Sequence, residues 1–449
     1  KKPKPTLGRL AVLFRRSQVA FSKPKWLRLD NAAKIYPAAR RRNWSNVFRV
    51  AATMRDEIDP EILSSALEVT AARFPSIAVR LRRGVFWYYL EEIDRVPTVR
   101  HDTPFPCRRM TPKEARTCAF RVLYYKNRIA VEVFHALTDG SGAMIFLKTL
   151  VAEYAEQRYG ITVPAECGIL SRKEEPSPEE IEDSFLRYEG NVAASRKEEP
   201  AYHLKGKKEP DGYLNITTGI IDVNQIMAQA KRYNATLTNY LAALMVMCVA
   251  DIQRENTKNP AKQKPVKVLV PVNLRKHFPS KTVRNFAMYV NVGIDPRMGE
   301  YTMEETIEAI RHQMGLKITK KELQASFTAN VRPEKSIFLK IVPLTIKNMV
   351  MKAVYNSVGE RFSCMNISNL GNQQLPDVLS EYVESLEFVL GILADTAYNC
   401  SAISYKGKLR FTFTSNICDK ELERRFFTAL VKSGVHVKIE NTEKEEAED

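Results

Sequence analysis

A polar, proline-bearing stretch from residue 171 to residue 211 divides the chain into two runs of alternating strand and helix patterns. Within this stretch the pentapeptide Arg-Lys-Glu-Glu-Pro occurs twice, at 172–176 and at 196–200. Two short charged copies are typical of linker sequence rather than of a structural repeat. Because 449 residues exceed what one hydrophobic core usually serves, the stretch predicts a connection between two lobes.

Each run mixes hairpin-forming strands with long amphipathic helices. The helix patterns lie at 59–74, 143–157, 224–233, 238–255, 303–323 and from 419 onward. The strand patterns lie at 78–82, 85–91, 118–125, 128–134, 214–223, 266–272, 286–294, 362–368, 386–393, 396–405 and 408–415. This order favours an α+β fold of two lobes, each a mixed sheet with flanking helices, over one doubly wound sheet.

The predicted organisation of the chain follows from these runs. It comprises a basic N-terminal arm at 1–27, an N-terminal lobe at 28–170, a polar linker or crossover at 171–211, a C-terminal lobe at 212–440 and a frayed acidic tail at 441–449. A cleft between two lobes is where a ligand is expected to bind.

The formal net charge of +17 is concentrated at the N-terminus. Residues 1–50 hold fourteen Lys and Arg against the single acid Asp30, which leaves 55 basic and 51 acidic residues elsewhere. The sequence has no helix-turn-helix, zinc-finger or RNP pattern, so we expect no nucleic-acid partner. We expect a solvated arm at the terminus, and the run 40–42 to face phosphates, a membrane surface or water.

The seven cysteines are scattered, with neither CxxC nor Cys/His ligand spacing. This usage predicts reduced, buried thiols, no metal site and a cytoplasmic location. The most apolar stretch, 240–250, is about half the ~20 residues that a membrane span needs, so no transmembrane segment is expected. Glycine-rich nucleotide-binding motifs are also missing from the sequence.

The segment 134–140, with the sequence FHALTDG, carries the pattern HxxxDG between a predicted strand and a predicted helix. A histidine that follows a strand and enters a loop is well placed to reach a cleft. Its ordinary pKa near 6.5 leaves it mostly neutral and able to take a proton, so His135 is the candidate general base. Asp139, followed by the motif glycine Gly140 and by Gly142, is expected to hold the loop through backbone amides and a cation rather than to relay charge.

This strand–HxxxDG–helix arrangement resembles the family that includes chloramphenicol acetyltransferase, BAHD plant acyltransferases, alcohol acetyltransferases, polyketide-associated acyltransferases and the condensation domains of nonribosomal peptide synthetases. The resemblance implies two chloramphenicol acetyltransferase-like lobes with a tunnel between them. Many condensation domains have two adjacent histidines of which the second acts, whereas here Phe134 precedes His135. The second BAHD motif, DFGWG, is missing, which favours the bacterial or fungal alcohol-acetyltransferase-like branch.

Two further patches are similar to the family. Arg275, after the strand pattern 266–272, matches the arginine that pairs with the motif aspartate, and Arg284 is the reserve choice; solvent exposure is the alternative. The resemblance also implies that Ser368 and Asn369, at a strand end, and Asn291 are candidates to line the tunnel or steady an oxyanion. Taken as sequence alone, 367–371 is a strand followed by a turn.

The resemblance implies an acyl-CoA-dependent O-acyltransferase that moves an acyl group from a thioester to an alcohol hydroxyl. Acyl-CoA, or acetyl-CoA, is then a co-substrate, and no cofactor stays bound. One alternative is a condensation-type domain that takes its donor from the phosphopantetheine arm of an acyl carrier protein and forms an ester or an amide with an alcohol or amine acceptor. A non-catalytic binding module is a further alternative.

The stretch 336–356 predicts a basic amphipathic helix interrupted by Pro343. Such a helix either lies on a membrane surface or, as is more usual, covers an apolar lobe, and its lysines point outward in both cases. Membrane contact is therefore compatible with the sequence but not required by it.

Overall fold

The computed structural model describes residues 26–38, 45–194, 198–336, 340–393 and 395–441. Most of the predicted arm, the basic run 40–42 and the tail from 442 lie outside the described residues. The strands, in chain order, are β1 (Trp26–Arg28), β2 (Val47–Met54), β3 (Val79–Arg83), β4 (Tyr88–Glu92), β5 (Arg100–His101), β6 (Phe120–Tyr125), β7 (Arg128–Phe134), β8 (Asn215–Asp222), β9 (Val266–Asn273), β10 (Ala287–Ile294), β11 (Met365–Asn372), β12 (Val383–Leu390), β13 (Tyr398–Tyr405), β14 (Lys408–Ser415) and β15 (Val437–Asn441).

The helices flank these strands. In chain order they are α1 (Ile35–Ala38), α2 (Pro60–Arg73), α3 (Pro112–Thr117), α4 (Gly140–Tyr159), α5 (Pro178–Ile181), α6 (Ser184–Arg187), α7 (Val223–Arg232), α8 (Leu237–Asn256), α9 (Met303–Lys317), α10 (Lys320–Lys335), α11 (Leu344–Val358), α12 (Asp377–Ser380) and α13 (Glu421–Lys432). Local signals explain several starts, as at α2, where Asp59 caps the helix and Pro60 fills its first position.

Three sheets form among the described residues. One has five strands in the order β12, β2, β7, β6, β5, and another has seven in the order β10, β9, β11, β13, β14, β8, β15. A small sheet joins β1, β4 and β3. Both large sheets are mixed, since β5 runs parallel to β6 and β11 runs parallel to β9 and β13. The predicted α+β class with mixed sheets is confirmed.

Each large sheet has its own hydrophobic core. The long helix α4 and strands β2 and β7 contribute to one core, and α8 with β9, β13 and β14 contributes to the other. The motif strand β7 lies in the middle of the five-stranded sheet, where Val47 pairs with Phe134. This pairing fixes the point at which the chain leaves the sheet and enters the HxxxDG loop.

The division of the strands between the two large sheets does not follow their order along the chain. β12 follows the polar stretch, yet it pairs with β2 of the five-stranded sheet, in the register Phe388 to Val50. The stretch itself contains α5 and α6, and Glu180 accepts a hydrogen bond from the backbone of Val283. The boundaries of the two lobes therefore remain a prediction.

Some elements differ from the sequence patterns. The interior strand β2 was not predicted, and the expected single helix at 303–323 is two helices, because Thr319 caps a new one. The expected interruption at Pro343 is present, since residues 340–341 are helical, 342–343 are not, and α11 begins at Leu344. At the C-terminal end, Asn441 belongs to β15 instead of fraying.

All seven cysteines are free thiols, and five of them are buried as expected. Cys167 and Cys418 are exposed, so the expectation of burial is wrong for these two, both of which lie in connecting segments. No single helix in the described residues has the length and apolar character of a bilayer span; α7 and α8, bent by 77°, meet that test only as a pair.

A buried charge cluster ties β2 to its neighbours in the motif sheet. The Arg49 guanidinium donates to Asp102 at 2.7 and 2.8 Å and to Glu132 at 2.8 and 3.1 Å. Glu132 also accepts from the backbone of Cys107 and from Arg121. Because Arg49, Asp102 and Glu132 are buried, loss of the arginine would remove the cation that the two carboxylates share and leave only Arg128 beside Asp102 and only Arg121 beside Glu132.

We therefore predict that Arg49→Met lowers the free energy of unfolding by about 3–5 kcal/mol. Urea unfolding followed by circular dichroism measures the change. The control is Arg311→Met, which removes an exposed arginine 3.6 Å from Glu308 and should change stability by no more than about 0.5 kcal/mol. Equal effects of the two substitutions would contradict the role given to the cluster.

Candidate active site at the HxxxDG loop

His135 is the first residue after β7 and lies at the meeting point of the two sheets. Its backbone N–H donates to the carbonyl of Asn46 at 2.8 Å, which extends the β2–β7 ladder by one bond. The imidazole is half-buried. The Tyr36 ring stacks on it with centroids 4.6 Å apart, and Phe48 meets it edge-on at 5.0 Å. The two aromatic rings therefore set the plane of the imidazole.

The imidazole is oriented by an amide from the segment between β9 and β10 of the other sheet. His135 Nδ1 lies 3.2 Å from Asn285 Oδ1, and Asn285 Nδ2 donates to the buried carboxylate of Asp30 at 3.2 Å. Because an ionised carboxylate only accepts, the amide nitrogen must face Asp30 and the amide oxygen must face His135. Nδ1 then carries the proton, and Nε2 keeps a lone pair that can accept a proton from another group.

Burial controls the charge of this histidine. It lowers the pKa of His135 below the ordinary 6.5, although the histidine's own carbonyl, the Asp139 carboxylate and the Asn285 amide act in the opposite direction. The imidazole is therefore neutral at pH 7. No hydrogen bond of Nε2 is found within the described part of the chain.

Asp30 is the last residue in the chain of hydrogen bonds that runs from His135 through Asn285. Burial raises its pKa to about 6, while Arg284, with Nη2 at 3.6 Å, acts against the rise. Asp30 Oδ1 also accepts from the backbone of Ala33 at 2.8 Å. Above about pH 6 the carboxylate is ionised and keeps the Asn285 amide in one orientation.

Asp139 is buried, and His135 is not among the hydrogen-bond donors to its carboxylate in the described part of the chain. Oδ1 accepts from the backbone N–H of Gly142 at 3.0 Å as the N-cap of α4. Oδ2 accepts from Arg275 Nη1 at 2.7 Å and from the backbone N–H of Phe286 at 2.8 Å. The carboxylate therefore joins the motif loop to the segment that carries Asn285.

Arg275 lies where the sequence placed the partner of Asp139, and its three donor groups are all used. Nε donates to the carbonyl of Thr282 at 2.9 Å, and Nη2 donates to the carbonyl of Arg284 at 2.5 Å. The guanidinium thus closes the loop 275–284 onto Asp139. Arg284, the reserve choice, does not reach Asp139; it lies beside Asp30 and donates to the carbonyl of Arg28.

Two glycines follow the motif aspartate, and neither has a positive φ. A side chain at Gly142 would place Cβ 2.1 Å from both Thr138 Oγ1 and the carbonyl oxygen of Val283. A side chain at Gly140 would meet Leu370 at 3.0 Å and Phe388 at 3.3 Å. Close approach, rather than turn geometry, is the reason that glycine is needed here, and it is more severe at Gly142 than at Gly140.

The other predicted tunnel residues, Ser368, Asn369 and Asn291, make no hydrogen bond to His135 within the described part of the chain. Ser368 is half-buried on β11, and Asn369 donates to Thr238 Oγ1 at 3.2 Å and accepts from the backbone of Gly371. Asn291 lies six residues beyond Asn285, roughly 20 Å away along an extended strand. There it donates to Glu198 at 3.2 Å, so the structure does not bring it to His135.

Sequence reasoning missed three residues that surround the base: Tyr36, Asp30 and Asn285. Asn285 follows the reserve choice Arg284 in the sequence, but its amide had no assigned role. Asp30 was noted only as the single acid among the first fifty residues. An acid alone in a basic segment that folds into the interior is the signal that could have identified it.

No group of three or more His, Cys, Asp or Glu side chains in the described ranges is placed to hold a metal ion. Two surface cavities of about 340 and 510 Å³ lie elsewhere, the first beside His203 and Arg361 and the second beside Tyr233 and Arg311. The tunnel at the HxxxDG loop therefore remains a prediction.

No protein-family model matches the sequence, and no curated protein matches it significantly. Solved structures do resemble the fold. Polyketide synthase associated protein 5 from Mycobacterium tuberculosis superposes with a TM-score of 0.57 at 14% identity, over 90% of this chain and 96% of its own. The starter condensation domain of rhizomide synthetase, solved with C8-CoA and Leu-SNAC, superposes with a TM-score of 0.57 at 14% identity, over 91% and 94%.

A wax ester synthase/diacylglycerol acyltransferase from Marinobacter aquaeolei superposes with a TM-score of 0.51 at 13% identity, over 91% of this chain and all of that one. At such low identity these likenesses establish the fold and nothing finer. They confirm the two-lobed fold predicted from the HxxxDG resemblance.

We predict that His135 titrates below pH 6.5 and is protonated on Nδ1 at pH 7. NMR of histidine-labelled protein, assigned with His135→Gln, measures both properties. In the unfolded chain His135 binds a proton near pH 6.5, whereas in the folded chain it does so only at lower pH. His135 therefore lowers the free energy of unfolding as the pH falls below 6.5. A midpoint at or above 6.5, or a proton on Nε2, would show that the environment of the ring is misjudged.

We also predict that Arg275→Met destabilises the protein more than the double substitution Asp139→Asn/Arg275→Met does. The single substitution leaves a buried carboxylate without its cation, whereas the double one removes both charges. Urea unfolding of the two variants gives the comparison. A double variant at least as unstable as the single one would mean that the charge pair is not what holds the loop.

Proposed function

Starting from the two-lobed fold that it shares with condensation domains and a wax ester synthase, we propose that this chain is an acyltransferase. It moves an acyl group from a thioester, acyl-CoA or acetyl-CoA, to the hydroxyl of an alcohol. The observation that carries the proposal is the neutral His135 with Nδ1 bonded to Asn285 and Nε2 without a partner among the described residues. Such a nitrogen can take a proton at neutral pH.

The proposed reaction needs a single base, His135, which first removes a proton and later returns it. Nε2 of His135 removes the hydroxyl proton as the acceptor oxygen attacks the thioester carbonyl. Collapse of the tetrahedral intermediate breaks the carbon–sulfur bond, and the imidazolium returns the proton to the departing thiolate. The ester and free thiol leave, and no acyl-enzyme forms.

The surrounding residues have supporting roles in this proposal. Asn285 and Asp30 would keep the proton on Nδ1, and Tyr36 would hold the ring plane. Asp139, with Arg275, would fix the loop and would not take part in proton transfer. Ser368 and Asn369 remain candidates for the oxyanion, because Leu370 reaches the start of α4 at Gly140.

A condensation-type activity is the second candidate. It rests on the likeness to the rhizomide starter condensation domain, whose structure contains both C8-CoA and Leu-SNAC. The same histidine would serve a donor on the phosphopantetheine arm of an acyl carrier protein, with an amine or alcohol as acceptor. A cytoplasmic location suits either donor and remains part of the proposal.

We predict that His135→Ala lowers acyl transfer at least about a hundredfold, since general base catalysis contributes roughly 10²–10⁴. Acetyl- and longer acyl-CoA are offered with a panel of alcohols and amines, and product is detected by mass, because free thiols would disturb a thiol-release assay. His312→Ala is the control, since His312 is exposed on α9.

Three outcomes are informative. Undiminished product in His135→Ala would overturn the assignment of the base. Product from a carrier-bound donor but not from free acyl-CoA would replace the first candidate by the second. Failure of both donors with every acceptor, while NMR shows His135 neutral as predicted, would favour a non-catalytic binding role.

A further inference from the structure

Helix α11 exposes an apolar face to solvent. Ile346, Met349, Val350 and Val354 are between 51 and 73% exposed, and their spacing of three, four and eight residues places them on one side of the helix. Ile341, just before the helix, is 64% exposed. The expectation that this segment covers an apolar lobe is therefore wrong for this face.

The tip of the β3–β4 hairpin continues the same surface. Val85 is 73% exposed, and Phe86 and Trp87 are also exposed. The backbone N–H of Leu344 donates to the carbonyl of Val85 at 2.9 Å, and Lys347 donates to the carbonyl of Phe86 at 3.0 Å. The helix face and the hairpin tip thus form one surface, here called the apolar ridge: Ile341, Ile346, Met349, Val350, Val354, Val85, Phe86 and Trp87.

The two segments that form the apolar ridge carry positive charge only. Lys340, Lys347 and Lys352 lie in the segment 340–358, which contains no acidic residue, and the hairpin tip 83–88 has none either. Lys347 Nζ sits 3.5 Å above the Trp87 ring, which keeps the ammonium beside the apolar surface. An exposed apolar stripe with Trp and flanking lysines is typical of helices that lie in the plane of an anionic bilayer surface.

A second copy of the chain is a poorer occupant. A twofold interface places the same patch on both sides, so lysines would face lysines with no acid between them. Isolated exposed apolar residues need no explanation, but a contiguous patch on a monomer marks an interaction surface. The positive rim therefore favours an anionic partner.

The buried side of α11 faces the active-site residues. Tyr355 packs in one cluster with Ile35 and Tyr36, and Tyr36 stacks on His135. One helix thus has the apolar ridge on its outer side and a contact with the wall of the histidine site on its inner side. A surface held at the apolar ridge would lie close to that site.

We propose that the apolar ridge is a docking surface for an anionic lipid bilayer, with α11 lying in the interfacial plane. The aliphatic side chains and Trp87 enter the headgroup–acyl boundary, and the three lysines contact lipid phosphates. The proposal does not depend on acyl transfer, because binding to vesicles can be measured without any reaction.

The test is sedimentation of the full chain with vesicles of phosphatidylcholine and phosphatidylglycerol at 3:1, compared with phosphatidylcholine alone. We expect wild type to bind the anionic vesicles, and Met349→Glu to bind about tenfold more weakly because a buried apolar side chain is replaced by an anion. Met298→Glu is the matched control, since Met298 is 76% and Met349 is 73% exposed. Val354→Glu is a second variant on the apolar ridge, and thermal unfolding checks that each variant is folded.

Retained binding in Met298→Glu with loss in both apolar-ridge variants supports the proposal. Equal binding of wild type and Met349→Glu would overturn it and assign the attraction to the basic N-terminal residues. Failure of wild type to bind either vesicle would also overturn it, and a dimer on size exclusion that Met349→Glu abolishes would identify the surface as a contact between copies.

Discussion

The geometry of the HxxxDG loop depends on one carboxylate. Asp139 accepts from Gly142 in its own loop and from Arg275 and Phe286 on the segment between β9 and β10, so one side chain joins the two sheets. Each of the donors is partly or fully buried, which makes the arrangement costly to break. The position of His135 follows, because the residue that orients its ring, Asn285, immediately precedes Phe286 on that same segment.

A second chain of contacts decides what His135 can do. Asp30 fixes the amide of Asn285, the amide fixes the proton on Nδ1, and burial keeps the imidazole neutral. The hydrogen bond to Asn285 thus sets the orientation of the imidazole, whereas burial sets its protonation state. The outcome is a lone pair on Nε2 that needs no further activation at neutral pH.

Much of the fold was predictable because local patterns agree with the final structure. The hairpin at Lys126–Asn127, the start of α2 at Pro60 and the long helix after the motif follow from spacing and capping. The pairing of β12 with β2 was not predictable, because it joins residues more than 300 positions apart and leaves no local signal. Tyr36 and Asp30 escaped detection for the same reason, since their roles arise only when residues 30–36 pack against His135 and Asn285. The apolar face of α11 was visible as a pattern, but a pattern alone does not say whether such a face is covered.

The proposed role of His135 requires that its Nε2 faces the reacting thioester. The measurement that tests it most directly is a crystal structure of the full chain with a 2-oxoalkyl-CoA, a non-hydrolysable analogue in which a methylene group separates the sulfur from a ketone carbonyl. We predict that the ketone carbonyl and the sulfur lie within about 4 Å of Nε2, close enough for proton transfer directly or through one water. An analogue bound with these atoms out of reach of Nε2, or at a surface away from the HxxxDG loop, would contradict the claim.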